Sequence, residues 1–215
     1  MARKLRVGVL ASGGGTNLQA IMDNCAAGEV DARVVVVISD VECGALARAR
    51  KAGIPAEHID RRDKQRHPTR EAFDRAVLER LRAHEVELVC LAGYLRVMTP
   101  ELVGAYAGRM MNIHPALLPS FGGAGMWGHH VHQAVLEYGC KVSGVTVHFV
   151  TLGTDEGPII LQRAVPVEEG DTPDSLAARI LPHEHGLYSQ AIQLFAEGRL
   201  RIEGRRVRIL PPVER

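Results

Sequence analysis

Short runs of β-branched and aliphatic residues alternate along the chain with stretches in which apolar positions recur every three or four residues. This is the pattern of buried strands separated by amphipathic helices. The runs predict strands at 5–11, 32–39, 57–59, 88–92 and 110–113, each too short and too apolar to lie anywhere but inside a sheet. Helical period predicts helices over 17–27, over 43–52 closed by Gly53, over 69–85 with Thr69 as N-cap, and a short one after Pro100. The grammar then shifts to a helix over 130–138 and two strands, 143–150 and 158–166, joined by the polar bend from Thr151 to Gly157. A last helix from Pro173 is expected to be interrupted at Leu181-Pro182, because proline removes a backbone donor and clashes with the preceding turn. The segment 199–210, folded about Gly204, reads as a hairpin. Strands alternating with helices define an α/β chain with a mostly parallel, twisted sheet and helices on both faces.

Composition narrows the class of function. With 215 residues, 46% hydrophobic and 24% charged, the chain fits one globular domain with a sizeable core and is neither disordered nor fibrous. The 26 basic residues nearly cancel the 25 acidic ones, so no field gathers nucleic acid or an acidic membrane, and the expected partner is a small molecule. The 4 cysteines are scattered singly, which predicts reduced thiols rather than a disulfide framework or a zinc ribbon. The apolar stretch Leu5 to Ala11 stops at Ser12 and three glycines, too early for a secretory leader, and no run reaches the length of a membrane span. A cytoplasmic location is expected.

Three segments could carry chemistry. Ser12-Gly13-Gly14-Gly15-Thr16-Asn17 ends the first strand and opens the first helix, where free backbone N–H groups and the helix N-terminus suit a phosphate. The dinucleotide fingerprint is only half met, since Leu18 stands where its third glycine belongs, and the plainer alternative is a tight turn with no ligand. Asn112 and His114 lie two residues apart on a predicted strand, hence on one side near its carboxyl end. They offer an amide donor for an oxyanion beside a group that exchanges protons near neutral pH; alternatively His114 is a hydrogen-bonded structural residue. Asp155, in the bend Thr154-Asp155-Glu156-Gly157-Pro158, could reach His114 and raise the imidazole pKa, or could merely solvate a turn. The clusters His129-His130-x-His132 and His183-Glu184-His185 lack the spacing of a zinc helix, so no metal is expected, and Glu184 suits ribose hydroxyls or a substrate amine. Arg61, Arg62, Lys64 and Arg66 read as a solvated loop face, while Arg70 at a helix start could meet a carboxylate.

With these motifs in place, the sequence resembles the phosphoribosylglycinamide formyltransferases, the folate-dependent enzymes of purine synthesis, over nearly its whole length. The segments that carry the likeness are Ser12 to Asn17, Leu91 to Met98, Asn112 to Phe121, Val147 to Val150 and Asp155 to Pro158. The resemblance implies a Rossmann-like formyltransferase fold in a single domain 1–215, with a nucleotide-binding half 1–105, a catalytic and folate-binding half 106–198, and a tail 199–215. It implies that Gly15, Thr16, Asn17 and Glu184 bind glycinamide ribonucleotide. Arg70, Leu95, Arg96, Val97, Met98, Asn112, Thr151, Thr154 and Asp155 would then bind 10-formyltetrahydrofolate, the formyl-donor cosubstrate. Asn112, His114 and Asp155 would be the catalytic set, the first two stabilising a tetrahedral intermediate and Asp155 assisting. These two small molecules are the implied partners, with no nucleic acid and no membrane, in a monomer or homodimer. The chain departs from the family pattern at Leu181-Pro182-His183 and at Ser189, both near the ribonucleotide pocket. Alternatives are a related folate-dependent formyltransferase, a formyltetrahydrofolate hydrolase or a non-catalytic nucleotide-binding module. A dinucleotide dehydrogenase would have only Asp40 to hold a ribose.

Overall fold

The protein is described by a computed structural model covering residues 3–212, so the last three residues of the expected tail lie outside the described residues. It divides into two compact units, Met1–Met111 and Asn112–Arg215. Among the described residues the first unit holds strands in the order β3-β2-β1-β4 and the second in the order β6-β7-β9-β8, and the division falls within β5 (Met110–His114).

In the first unit, β1 (Leu5–Leu10) runs parallel to both β2 (Ala32–Ser39) and β4 (Leu88–Leu91), and β3 (Ala56–His58) adds to β2. The central strands are buried as their composition demands, but β3 is half-exposed, because it lies at the sheet edge with one neighbour only. Helices α1 (Thr16–Ala27) and α2 (Gly44–Lys51) connect strands laid down in one direction, whereas α3 (Arg70–Ala83) returns the chain from β3 to β4. Right-handed crossovers therefore place α3 on the opposite face from the other two. Leu18, Ile21, Leu46, Val77 and Leu81 seal the two faces over the buried strand residues. Gly8 is required by packing: a Cβ there would lie 2.8 Å from Val86 Cγ2 and 2.9 Å from Leu81 Cδ2. Thr69 caps α3, its hydroxyl accepting from the Ala72 N–H at 3.1 Å, as its position predicts. A short helix, α4 (Pro100–Ala105), precedes β5.

In the second unit, β6 (Val142–Phe149) and β7 (Ile159–Pro166) form an antiparallel pair, and the terminal hairpin β8 (Leu200–Glu203) and β9 (Arg206–Ile209) joins β7 through β9. Helices α5 (His129–Glu137) and α6 (Pro173–Ala196) pack together, and α6 lies on β6 and β7. The expected break at Pro182 does not occur: α6 is continuous over 24 residues with Pro182 inside it. Leu176 and Ile180 before the proline and Leu187, Tyr188, Ala191 and Ile192 after it are all buried, and keeping them in one line outweighs the lost backbone bond.

The four cysteines are free. No helix of the described residues is long and apolar enough to cross a membrane.

Helix α6 starts with a reciprocal cap, in which Thr172 Oγ1 accepts from Ser175 N at 3.2 Å and Ser175 Oγ accepts from Thr172 N at 2.9 Å. Thr172→Ala is expected to cost about 1 kcal/mol, seen calorimetrically as a fall in Tm of roughly 2–4 °C for a chain of this size.

Candidate active site

Strand β5 delivers Asn112 and His114 to one place, two residues apart, as alternation predicts, with Asn112 half-buried and His114 buried. The bend after β6 brings Asp155 to them. Its Oδ2 lies 3.6 Å from His114 Nδ1 and accepts from the Gly123 N–H at 2.9 Å, while its Oδ1 accepts from Asn112 Nδ2 at 3.4 Å. The three residues singled out in the sequence thus meet, all within the second unit.

Two local features make this possible. Asp155 holds a left-handed backbone, φ 57°, which aspartate tolerates better than most residues. Gly157 then lets the bend fold back under β6, since a Cβ there would sit only 1.6 Å from the Phe149 carbonyl oxygen. The segment leaving His114 is fixed by buried Thr146, whose hydroxyl donates to Ala116 O at 2.6 Å and accepts from Leu118 N at 3.1 Å. That segment ends in Phe121, whose own left-handed φ of 53° belongs to a bulky residue that rarely adopts it. Phe121 O accepts from His114 Nε2 at 2.7 Å, so the Nε2 hydrogen is committed and Nδ1 faces Asp155.

One member of the site has no role in the motif reading, although its segment was quoted for the resemblance. His148 is 3% exposed at its side chain, its Nε2 lying 3.2 Å from Asn112 Nδ2 and 3.6 Å from Asp155 Oδ1. Its Nδ1 points at the Phe149 carbonyl, 3.0 Å away, which assigns the hydrogen to Nδ1 and leaves Nε2 to accept from the Asn112 amide. The pairing of β6 with β7 shifts register between Val147 and His148, and such irregularities re-aim side chains near sites. The available signal was the one that found His114: an imidazole at the end of an apolar run.

Burial lowers the His114 pKa below its ordinary value, against the charge of Asp155 and the hydrogen bond to Phe121, with His148 adding to the lowering. Asp155 therefore pushes in the expected direction, but desolvation overrides it, and His114 rests neutral near pH 7. For Asp155 burial works upward, yet the neighbouring His148 ring, the Gly123 N–H and the adjacent His114 together hold its pKa below the usual carboxylate value.

In the first unit, Gly15 serves as the N-cap of α1 at φ 77°, and a Cβ on it would meet Ala45 Cα at 2.7 Å. No side chain caps α1 and no acid occupies its first turn, which leaves its positive end free of competing anions beside Thr16 and Asn17. The Arg96 guanidinium lies over the Phe73 ring at 4.0 Å, which ties the 95–98 segment to α3, the helix that Arg70 begins. Leu95 and Val97 are exposed, 49% and 55%, whereas Met98 is buried. Thr151 and Thr154 are exposed in the second unit, and Glu184 is half-buried on α6. Asp40 is 0% exposed, with its carboxylate taken by Ser12 and Arg61, so it has nothing to offer a ribose and the dehydrogenase reading fails. Arg61 itself stays exposed on its loop, as read from the sequence, while its guanidinium reaches Asp40.

The histidine clusters disperse. His129 Nε2 lies 3.7 Å from Asp174, His130 meets the edge of Trp127, and His132 is buried with Nδ1 unpartnered. Among the described residues no group of three or more His, Cys, Asp or Glu is placed to hold a metal ion.

Fold and site together define an α/β group-transfer enzyme, and a family model described as formyl transferase matches residues 5–192: the chain belongs to that family. Phosphoribosylglycinamide formyltransferase of Escherichia coli (strain K12) is 40% identical over 199 residues, covering 92% of this chain and 90% of that one. The crystal structure of glycinamide ribonucleotide transformylase 1 from Symbiobacterium toebii matches with a TM-score of 0.91 at 55% identity, covering 98% of this chain and 96% of that one. The trifunctional purine biosynthetic protein adenosine-3 of Bos taurus is 43% identical over 93% of this chain, which spans only 19% of that protein's length. The resemblance read from the motifs is borne out by these relatives.

Burial lowers the pKa values of His114 and His132 below 6.5, so the unfolded chain binds protons that the native one refuses. Their contribution to stability is complete above about pH 6.5 and is lost as the pH falls through the folded values. His132→Leu is expected to flatten this loss, with a urea midpoint that gains on the wild type between pH 8 and pH 5.5. A parallel fall in both proteins would assign the acid sensitivity elsewhere.

Proposed function

We propose that the chain transfers the formyl group of 10-formyltetrahydrofolate to the amine of glycinamide ribonucleotide. The observation that carries this reading is the meeting of Asn112, His114 and Asp155 at the end of β5. The phosphate is assigned to the uncapped start of α1 with Gly15, Thr16 and Asn17, and Glu184 is assigned to the same ligand. Arg70, Leu95, Arg96, Val97, Met98, Asn112, Thr151, Thr154 and Asp155 are assigned to the folate. Exposed Leu95 and Val97 offer apolar surface to a flat ring, and Arg96 Nε, buried without a partner, offers a donor.

The amine nitrogen attacks the formyl carbon, forming the new C–N bond and placing negative charge on the formyl oxygen. Asn112 supplies the neutral donor, its Nδ2 turning from Asp155 and His148 to that oxygen. His114 acts by charge, because its Nε2 hydrogen is held by Phe121 and its free position, Nδ1, faces Asp155. The developing oxyanion raises the proton affinity of the imidazole, so the proton leaving the amine is held between His114 and Asp155 until N10 of the folate takes it and the C–N10 bond breaks. Cytoplasmic operation as a monomer or homodimer completes the proposal.

A turnover assay with both substrates, an acceptor-free control and His114→Ala as blank tests it. Acceptor-dependent transfer lost in the variant supports the reading, whereas folate hydrolysis without acceptor points to a hydrolase. Asp155→Asn is expected to lower kcat by roughly 10²-fold or more while ribonucleotide affinity stays within about threefold; equal loss of both would remove its assigned role. Asn17→Ala is expected chiefly to raise the KM for the ribonucleotide, and an effect on the folate alone would mean that the two pockets are exchanged.

A further inference from the structure

The glycine-rich loop of the first unit is gripped from two sides. On one side Ala45 N donates to Gly13 O at 3.0 Å, Arg48 Nε donates to Gly14 O at 2.8 Å, and Gly15 rests against Ala45 with no room for a Cβ. On the other side Ser12 holds the turn that leads into 95–98: its N–H donates to Gly93 O at 2.9 Å and its hydroxyl oxygen accepts from Leu95 N at 3.2 Å. That hydroxyl spends its own hydrogen on Asp40 Oδ1, 2.6 Å away. Asp40 is fully buried, its Oδ2 lies 3.3 Å from Arg61 Nη1, and its carbonyl accepts from the Arg61 N–H at 3.2 Å.

The order of donors and acceptors gives the carboxylate its purpose. A serine hydroxyl alone rotates and can turn its hydrogen toward the Leu95 N–H. A buried carboxylate fixes that hydrogen, so the oxygen presents lone pairs to Leu95, and the ionised acceptor strengthens the bond that does so. The loop is anchored to α2 through Gly13 and Gly14, so a displacement at Ser12 passes through its hydrogen bonds to Gly93 and Leu95.

We propose that Asp40 is a positioning residue which, through Ser12, couples binding at the glycine-rich loop to binding at the Leu95–Met98 segment, so that each substrate favours the other. The inference rests on the assignment of ribonucleotide to the first segment and folate to the second. Hydrogen exchange of the full chain, read by mass spectrometry with glycinamide ribonucleotide alone or with unformylated tetrahydrofolate alone, tests both layers separately. Each ligand is expected to slow exchange in its own segment and, by about threefold or more, in the other. Ser12→Ala and Asp40→Ala are expected to keep the first protection at saturating ligand and abolish the second. In calorimetric titrations a mutual enhancement of affinity of about fivefold should fall to near one.

Asp40→Asn, which keeps an acceptor for Ser12, is expected to retain part of the coupling. Arg61→Ala, which removes only the side-chain contact to the other carboxylate oxygen and keeps the backbone bond to the Asp40 carbonyl, should retain it while lowering stability. These two variants decide the question should the alanine variants fail to fold. Own-segment protection without cross-protection in the wild type overturns the coupling and leaves the assigned pockets standing, as does cross-protection that survives in Ser12→Ala. Absence of own-segment protection removes the pocket assignment, and the coupling falls with it.

Discussion

A carboxylate withdrawn from water needs donors, and Asp155 finds them in Asn112 on β5 and Gly123 in the following loop, with the imidazoles of His114 on β5 and His148 at the end of β6 beside it. Much of the local architecture follows from bringing them together. The bend carries Asp155 at a left-handed φ, and Gly157 gives up a side chain so that the backbone can pass beneath Phe149. The register of β6 against β7 shifts at His148, and Thr146 pins the segment that presents Phe121 to His114. A site assembled this way is rigid, because moving any one donor leaves a buried charge or a buried nitrogen unpaired.

The same burial sets the proton affinities. His114 and Asp155 sit close enough to favour an ion pair, yet desolvation of the imidazole is the larger effect, and the histidine rests neutral beside an ionised acid. In that state Nε2 is engaged by Phe121 and Nδ1 is the open position, facing Asp155.

The first unit meets a different demand by related means. The anion proposed for the start of α1 would be served by backbone groups, and these are accurate only if the loop is immobile. Side-chain and backbone bonds from α2 hold Gly13 and Gly14, and the buried Asp40–Ser12 pair holds the loop to the 93–95 turn. An acid here acts without touching a ligand, by deciding which way one hydroxyl points.

The sequence by itself determined the alternation of strands and helices, the glycine turn into α1, the cap at Thr69 and the candidacy of Asn112, His114 and Asp155. Periodicity, turn chemistry and strand-end placement are all encoded within a few residues of where they act. Only the tertiary structure decided that β3 lies at an edge, that α6 runs through Pro182, that burial outweighs Asp155 at His114, and that His148 and Asp40 belong to polar networks. Each of these turns on what surrounds a residue in three dimensions. Asn112 and His148 are 36 positions apart in the chain, and Ser12 and Asp40 are 28 apart, so no local pattern could show that they meet.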